Sequence, residues 1–300
     1  MARRIKIAAA QYPIEEITSF AAFESKLSRW VSEAAAADAK LLVFPEYAAL
    51  ELAQAAGPET SRDLYDSLSA LQPYINDYDA AFAALSKRHD VFILAGSAPV
   101  LLADRGFVNQ ARLFGPGGRS GVQQKHIMTR FEAEEWGISP GTGFYVFDIG
   151  IAKLGVAICY DSEFPLIARA LAEAGAEILL VPSCTDTLSG YHRVRSACAA
   201  RALENQFYAI QSSTVGEAPW SAALDVNIGA AAVFAPPDRA ISANGIVTKG
   251  PLNAPQWVYA DLDLEALAWV RENGEVLNSK RWSLQPGAAA LPRAEIVTLD

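Results

Sequence analysis

The chain has 300 residues, of which 51% are hydrophobic and 20% charged. That is enough apolar material for a sizeable buried core and the wrong balance for a disordered chain. The formal net charge of −9 comes without a basic stripe, which argues against nucleic acid, because displacing counterions from phosphates needs clustered Lys and Arg.

The first element expected is a buried strand over Ile5–Ala10. Lys6 interrupts its apolar run too early for a secretory signal, and no segment reaches the roughly 18 apolar residues of a membrane span. Phe23, Leu27, Trp30, Val31 and Ala34 recur at helical spacing within Phe20–Ala37, with Ser19 as N-cap. Leu41–Phe44 reads as a short buried strand closed by Pro45, followed by a weaker helical region, a helix over Asp79–Arg88 and a strand over Val91–Leu94. Asn109–Phe114 and Gly121–His126 flank Gly115-Pro116-Gly117-Gly118 and predict a hairpin; Phe144–Ile149 and Ala152–Cys159 predict a second around Gly150. Pro165–Glu173 has Pro at its start and Gly175 just past its end, the asymmetry of a helix. A buried strand over Ile178–Val181, a helix over Arg193–Asn205, a strand over Trp257–Asp261 and a helix over Leu264–Arg271 follow. The tail from Asn273, with Pro286 and Pro292, reads as irregular.

Strand-like runs alternating with amphipathic runs are the pattern of an α/β layered fold. No repeat or Pro/Gly/Ser-rich linker divides the chain, so one domain over 1–300 is expected. The alanine-rich stretches 33–39 and 229–235 read as close-packing surfaces.

Cys159 ends the run Gly155-Val156-Ala157-Ile158, and Tyr160-Asp161-Ser162-Glu163-Phe164-Pro165 leads into a helix. A cysteine on such a strand-to-helix turn is exposed at a sheet edge near a helix N-terminus, conditions that favour the thiolate. The plainer reading is an inert core cysteine, and Cys184 and Cys198 keep it. The odd cysteine count and unpaired spacing make a disulfide framework unexpected and point to a reducing cytoplasm. A nucleophilic cysteine needs a base, yet His89, His126 and His192 form no recognisable Cys-His signature. Carboxylates are the next candidates. Glu46 ends the buried run Leu41–Pro45, where desolvation would raise its pKa toward a useful range. Lys125, at the end of the hairpin, could face a developing oxyanion. Singly, Glu46 reads as well as a loop acid and Lys125 as an edge-strand charge.

The combination is more specific. Phe44-Pro45-Glu46-Tyr47, Lys125-His126 and Gly155–Pro165 stand in the order and approximate spacing of the nitrilase, or carbon–nitrogen hydrolase, superfamily. Arg169, Gly175-Ala176, Val181-Pro182-Ser183 and Arg201–Asn205 extend the resemblance over about Ile5–Arg271. It implies a four-layer α-β-β-α sandwich, assembly as a homodimer or larger homo-oligomer, and no cofactor. It also implies roles: Glu46 as base, Cys159 as nucleophile forming a thioester, and Lys125 with the Tyr160 N–H as oxyanion donors. A second acid belongs to the pattern shortly before a Pro-Gly turn. Among Glu132, Glu134 and Glu135, distance from Pro140-Gly141 favours Glu134.

Tyr160-Asp161 after the cysteine resembles the amidase-type branches, whereas nitrile-cleaving members usually carry Trp-Glu. Members closest to the ω-amidases often have Arg where Glu163 stands and an acid where Leu166 stands, so a dicarboxylate monoamide fits poorly. Tyr47, Tyr160, Asp186 and Trp220 are expected to line the substrate site; His192, Arg193 and Arg195 are charges that could meet a carboxylate but read equally as solvated. The expected partner is a small amide, with neither nucleic acid nor membrane. Acyl transfer from the same thioester, nitrile cleavage and a non-catalytic assembly module remain as alternatives. The chain shows no His-Glu-x-x-His or Cys-x-x-Cys pattern for a metal hydrolase, and Ser120 stands where a Gly-x-Gly-x-x-Gly loop needs its last glycine.

Overall fold

A computed structural model describes residues 3–286, 288–289 and 293–299. In chain order the elements are β1 (Arg4–Pro13), α1 (Phe20–Ala36), β2 (Leu41–Val43), α2 (Leu64–Leu71), α3 (Ile75–His89), β3 (Phe92–Leu102), β4 (Gly106–Phe114), β5 (Ser120–Gln124), β6 (Tyr145–Asp148) and β7 (Lys153–Val156). They continue with α4 (Pro165–Glu173), β8 (Ile178–Ser183), α5 (Leu188–Asn205), β9 (Tyr208–Glu217), β10 (Val226–Asn227), β11 (Ala232–Phe234), β12 (Ile246–Lys249), β13 (Gln256–Asp263), α6 (Leu264–Asn273), α7 (Asn278–Arg281) and β14 (Glu295–Thr298).

The strands form one hydrogen-bonded ladder in the order β14-β6-β7-β8-β9-β1-β2-β3-β4-β5, with β13 antiparallel on β1 and β11 antiparallel on β9. The ladder is bent into two halves that face each other. At the seam, β1 and β9 pair only through Gln11–Pro13 against Ser213–Val215. At the far side Gly121 of β5 sits so close to the Phe147 ring of β6 that a Cβ there would collide with it.

Strand alternation distributes the core. Ile5, Ile7 and Ala9 of β1 point inward with Leu41, Val43 and Leu113, and meet Val146, Leu154, Val156 and Leu180 of the other half. Ala8, Ala10 and Tyr12 point the other way, onto Phe23, Leu27 and Trp30 of α1 and Tyr78 and Phe82 of α3. On the opposite outer face, Leu171 of α4 and Val194, Cys198 and Ala202 of α5 cover β7–β9. The result is the expected α-β-β-α layering. Each fully buried Leu, Ile or Phe contributes about 1.5–3 kcal/mol. Helix α1 starts where its sequence says, since Ser19 Oγ accepts the Ala22 N–H at 3.2 Å.

Two expectations fail. Strand β9 was not expected, because Gln211, Ser212, Ser213 and Thr214 interrupt its apolar pattern; all four are buried at the centre of the sheet. The tail is not irregular throughout: α7 forms within it, and β14 adds to β6 in parallel register, Glu295 opposite Tyr145. Pro292 lies outside the described residues. Among the described residues no helix is long and apolar enough to cross a membrane.

Candidate active site

Glu46 leaves β2 through Pro45 and enters the core, where it is 1% exposed. The approach requires Gly96 at φ 75°, because any side chain there would run into the Pro45 carbonyl oxygen. Tyr47 then takes a left-handed φ of 58°, turning the chain into a 3-10 helix over Ala48–Ala56. The Glu46 carboxylate accepts Asn109 Nδ2–H on Oε1 at 3.0 Å and the Cys184 N–H on Oε2 at 3.0 Å.

Lys125 follows β5, with its backbone N–H donating to the Asn109 carbonyl at 2.9 Å, so the hairpin register aims its side chain inward. Its Nζ donates to Glu46 Oε1 at 2.7 Å and to both oxygens of Glu132 at 2.7 and 2.8 Å. Glu132 also accepts the Tyr47 hydroxyl at 2.6 Å and the Thr129 N–H and hydroxyl at 2.8 and 2.9 Å.

Glu132, not Glu134, is therefore the acid that reaches Lys125. The segment Phe131–Trp136 is a single π-helical turn. It directs Glu132 and Trp136 inward, while Glu134 faces solvent and pairs with Arg130 at 2.9 Å. Spacing from Pro140-Gly141 could not distinguish these faces, because an assumed α-turn misplaces side chains by a fraction of a turn.

Cys159 is 5% exposed and has a left-handed φ of 48°. It opens a 3-10 helix, Cys159–Glu163, fixed by the Ser162 hydroxyl on the Cys159 carbonyl at 2.6 Å. A non-glycine residue at positive φ is strained, and such strain persists only where surrounding contacts enforce it. Here Asp161 accepts the N–H groups of His126, at 3.1 Å, and Ile127, at 2.8 Å. One buried carboxylate thus ties the Cys159 turn to the residues directly after Lys125. Burial pushes the Asp161 carboxyl up to about 7, partly offset by Lys125 and these N–H bonds.

The electrostatics separate the two glutamates. Burial raises the Glu46 pKa; Lys125 offsets part of this and Glu132 adds to it. Burial acts upward on Glu132 too, but the Lys125 charge and hydrogen bonds, with Tyr47 and Thr129, outweigh it and hold the pKa below the ordinary carboxylate range. For Lys125 burial alone would lower the pKa; Glu132 and Glu46 outweigh it and keep the ammonium charged. The Cys159 thiol is pushed well up by burial and by Glu46. This runs against the expectation from the turn, which favoured the thiolate: burial and Glu46 both favour the thiol. Glu46, whose charge acts on this thiol, is a carboxylate able to serve it as a base.

Glu46, Lys125, Glu132 and Cys159 line one cleft of about 250 Å³ with Tyr47, Tyr160 and Asp186. Trp220 does not line it; it is partly buried against the apolar core, and its carbonyl accepts the Ser61 hydroxyl at 3.1 Å. Trp136 takes the aromatic place instead, its ring 4.9 Å from that of Tyr47 and its Nε1–H on the Leu64 carbonyl at 2.9 Å. Glu163 and Arg193 meet at the cleft, 3.2 Å apart.

Sequence reasoning missed Cys184, whose carbonyl lies 3.7 Å from Cys159 Sγ and whose N–H holds Glu46. It also missed Asn109 and Asp161. Asp161 directly follows the nucleophile's neighbour, and its burial among turn residues was the available signal.

The carbon–nitrogen hydrolase family model matches residues 6–272. The probable hydrolase YhcX of Bacillus subtilis is 36% identical over 92% of this chain, which spans 53% of that relative's length. The ω-amidase NIT2-B of Xenopus laevis is 30% identical, covering 67% of this chain and 71% of its own. Among solved structures, Nit3 of Saccharomyces cerevisiae superposes with a TM-score of 0.72 at 22% identity, over 93% of this chain and 97% of that one. The amidase from Nesterenkonia sp. AN1, solved with acrylamide, superposes with a TM-score of 0.65 at 20% identity, over 89% and 94%. Matched along nearly its whole length, the chain belongs to the carbon–nitrogen hydrolase family.

Proposed function

We propose that the chain hydrolyses the C–N bond of a small amide through a thioester on Cys159, with Glu46 as base and Lys125 and Glu132 completing the catalytic set. The observation that carries this reading is the buried Lys125 ammonium, held between Glu46 and Glu132 in the cleft that Cys159 lines. Glu46 takes the thiol proton as sulfur attacks the amide carbon. The oxyanion that forms is met by the Lys125 Nζ and the Tyr160 N–H. Collapse of the tetrahedral intermediate breaks the C–N bond, and the proton on Glu46 passes to the departing nitrogen, which leaves as ammonia or an amine. Glu46 then takes a proton from water, whose oxygen attacks the thioester and releases the acid and the thiol. Glu132 stays ionised throughout and keeps Lys125 charged and fixed. Divergent environments for two nearby carboxylates are what such a division of roles requires.

An amide is favoured over a nitrile by Tyr160-Asp161 after the cysteine, which resembles the amidase-type branches. Pairing of two copies would draw on the exposed Leu166 of α4 and Leu188 and Leu203 of α5; light scattering tests it. The chemistry is tested by acid-quenched intact mass after mixing with a panel of small amides. An acyl adduct on Cys159, absent from Cys159→Ala, is expected; turnover by Cys159→Ala would remove the cysteine from the mechanism.

A further inference from the structure

The cleft is lined by five carboxylates, Glu46, Glu132, Glu163, Asp186 and Asp225, against two cations, Lys125 and Arg193. Both cations already stand beside acids. Lys125 is held by Glu46 and Glu132, and Arg193 Nε lies 3.2 Å from Glu163 Oε1. Asp186 and Asp225, in contrast, are exposed and have no ion-pair partner among the described residues.

These two acids share one built wall. Asp186 lies in the loop between β8 and α5, two residues beyond the Cys184 N–H that holds Glu46. Asp225 directly precedes β10. The two loops are joined by the Ile228 N–H on the Thr185 carbonyl at 2.7 Å and the Thr185 hydroxyl on the Ile228 carbonyl at 2.7 Å. The Cys184 thiol adds a contact to Asn227 Oδ1 at 3.5 Å. The two loops that carry the acids are therefore tied to each other by hydrogen bonds.

From this we propose that the cleft selects amides whose acyl portion carries a cationic group, an ammonium or guanidinium, received at the mouth by Asp186 and Asp225. The proposal rests on the cleft being the amide site and adds the class of amide. A cleft of one dominant sign with low-dielectric walls focuses its field and concentrates ligands of the opposite sign. An amide ending in a carboxylate would meet those two unpaired acids, with the Arg193 guanidinium, already beside Glu163, as the opposing charge.

The test compares three amides of similar length, γ-aminobutyramide, pentanamide and succinamate, by calorimetric binding to Cys159→Ala and by kcat/KM with the unmodified protein. Exposed ion pairs contribute about 0.2–1 kcal/mol each, so γ-aminobutyramide is expected to bind about fivefold more tightly than pentanamide, with succinamate weakest. High salt narrows the gap, and Asp186→Asn combined with Asp225→Asn brings the cation-to-neutral ratio close to one. Equal affinities, tighter succinamate, no binding by any amide, or a ratio untouched by the double substitution overturns the proposal. Turnover of pentanamide without cation preference sinks this inference alone. Cation-selective binding without turnover of any amide sinks the hydrolytic reading and leaves this one standing.

Discussion

Two lysines of this chain are buried against glutamates, and only one of them faces a cleft. Lys125 is 1% exposed and holds Glu46 and Glu132; Lys26 is 3% exposed and holds Glu51 at 2.7 Å. Glu51 is fully buried and also accepts the Tyr12 hydroxyl at 2.7 Å, while the Lys26 ammonium caps the Pro13 carbonyl at 2.6 Å and sits 4.0 Å over the Tyr12 ring. Burial raises the Glu51 pKa just as it raises that of Glu46. By residue type, burial and pKa direction the clusters are alike. What separates them is a thiol and a space: Lys125 and Glu46 line a cleft with Cys159, whereas Lys26, which also lies 3.7 Å from Glu15, ties the 3-10 helix after Glu46 to α1. A buried ion pair is thus weak evidence of function without a reacting group and room for a substrate.

Substitution can break the comparison at several points. Cys159→Ala is expected to have the largest effect, lowering turnover by about 10³ or more while leaving the melting temperature nearly unchanged, since groups acting as a unit fail together. Steady-state ammonia release and thermal unfolding check it, and residual activity near the starting level contradicts it. Lys125→Met should lower kcat by about 10²–10³, the usual cost of an oxyanion donor. Lys26→Met should instead cost about 3–5 kcal/mol of stability by stranding Glu51, with kcat of the folded fraction retained. Denaturant melts and kinetics on the two variants separate these outcomes; a kcat loss in Lys26→Met matching that of Lys125→Met would erase the distinction.

Smaller effects sharpen the roles of the acids. Glu132→Gln should reduce kcat by about 10² through loss of charge beside Lys125. Glu134→Gln removes only a surface pair with Arg130 and should leave kcat in place. Equal losses in both would return the second acid to open choice. The smallest effect is a displacement in pH. Glu46 must be deprotonated to take the thiol proton, and burial raises its pKa. Activity should therefore rise with pH through a midpoint above the ordinary glutamate value, and an acid limb at or below that value would remove Glu46 as the base.

Much of the site was legible because its residues sit at ends of strands. Glu46 follows a buried strand and Pro45, Lys125 follows a hairpin strand, and Cys159 stands on a turn into a helix; each motif carries its own local geometry. Glu132 was not legible, since only the π-helical turn decides which acid of Phe131–Trp136 points inward. Trp220 was misplaced because loop residues have no period from which direction can be read. Strand β9 was passed over because Gln211–Thr214 look like a loop until the sheet supplies partners for their backbone.

By itself the sequence determined the layered α/β fold, the order of its main elements, and Cys159 and Glu46 as candidates, because apolar periodicity and turn residues act over a few positions. The tertiary structure alone decided that the ladder folds back so that β5 meets β6, that Asp161 joins the Lys125 and Cys159 segments, and that Asp186 and Asp225 share one wall. It also decided the direction in which the Cys159 pKa moves: the turn suggested downward, and burial beside Glu46 pushes it up. These are properties of groups far apart in the chain, and the desolvation that sets them exists only once the layers have closed around them.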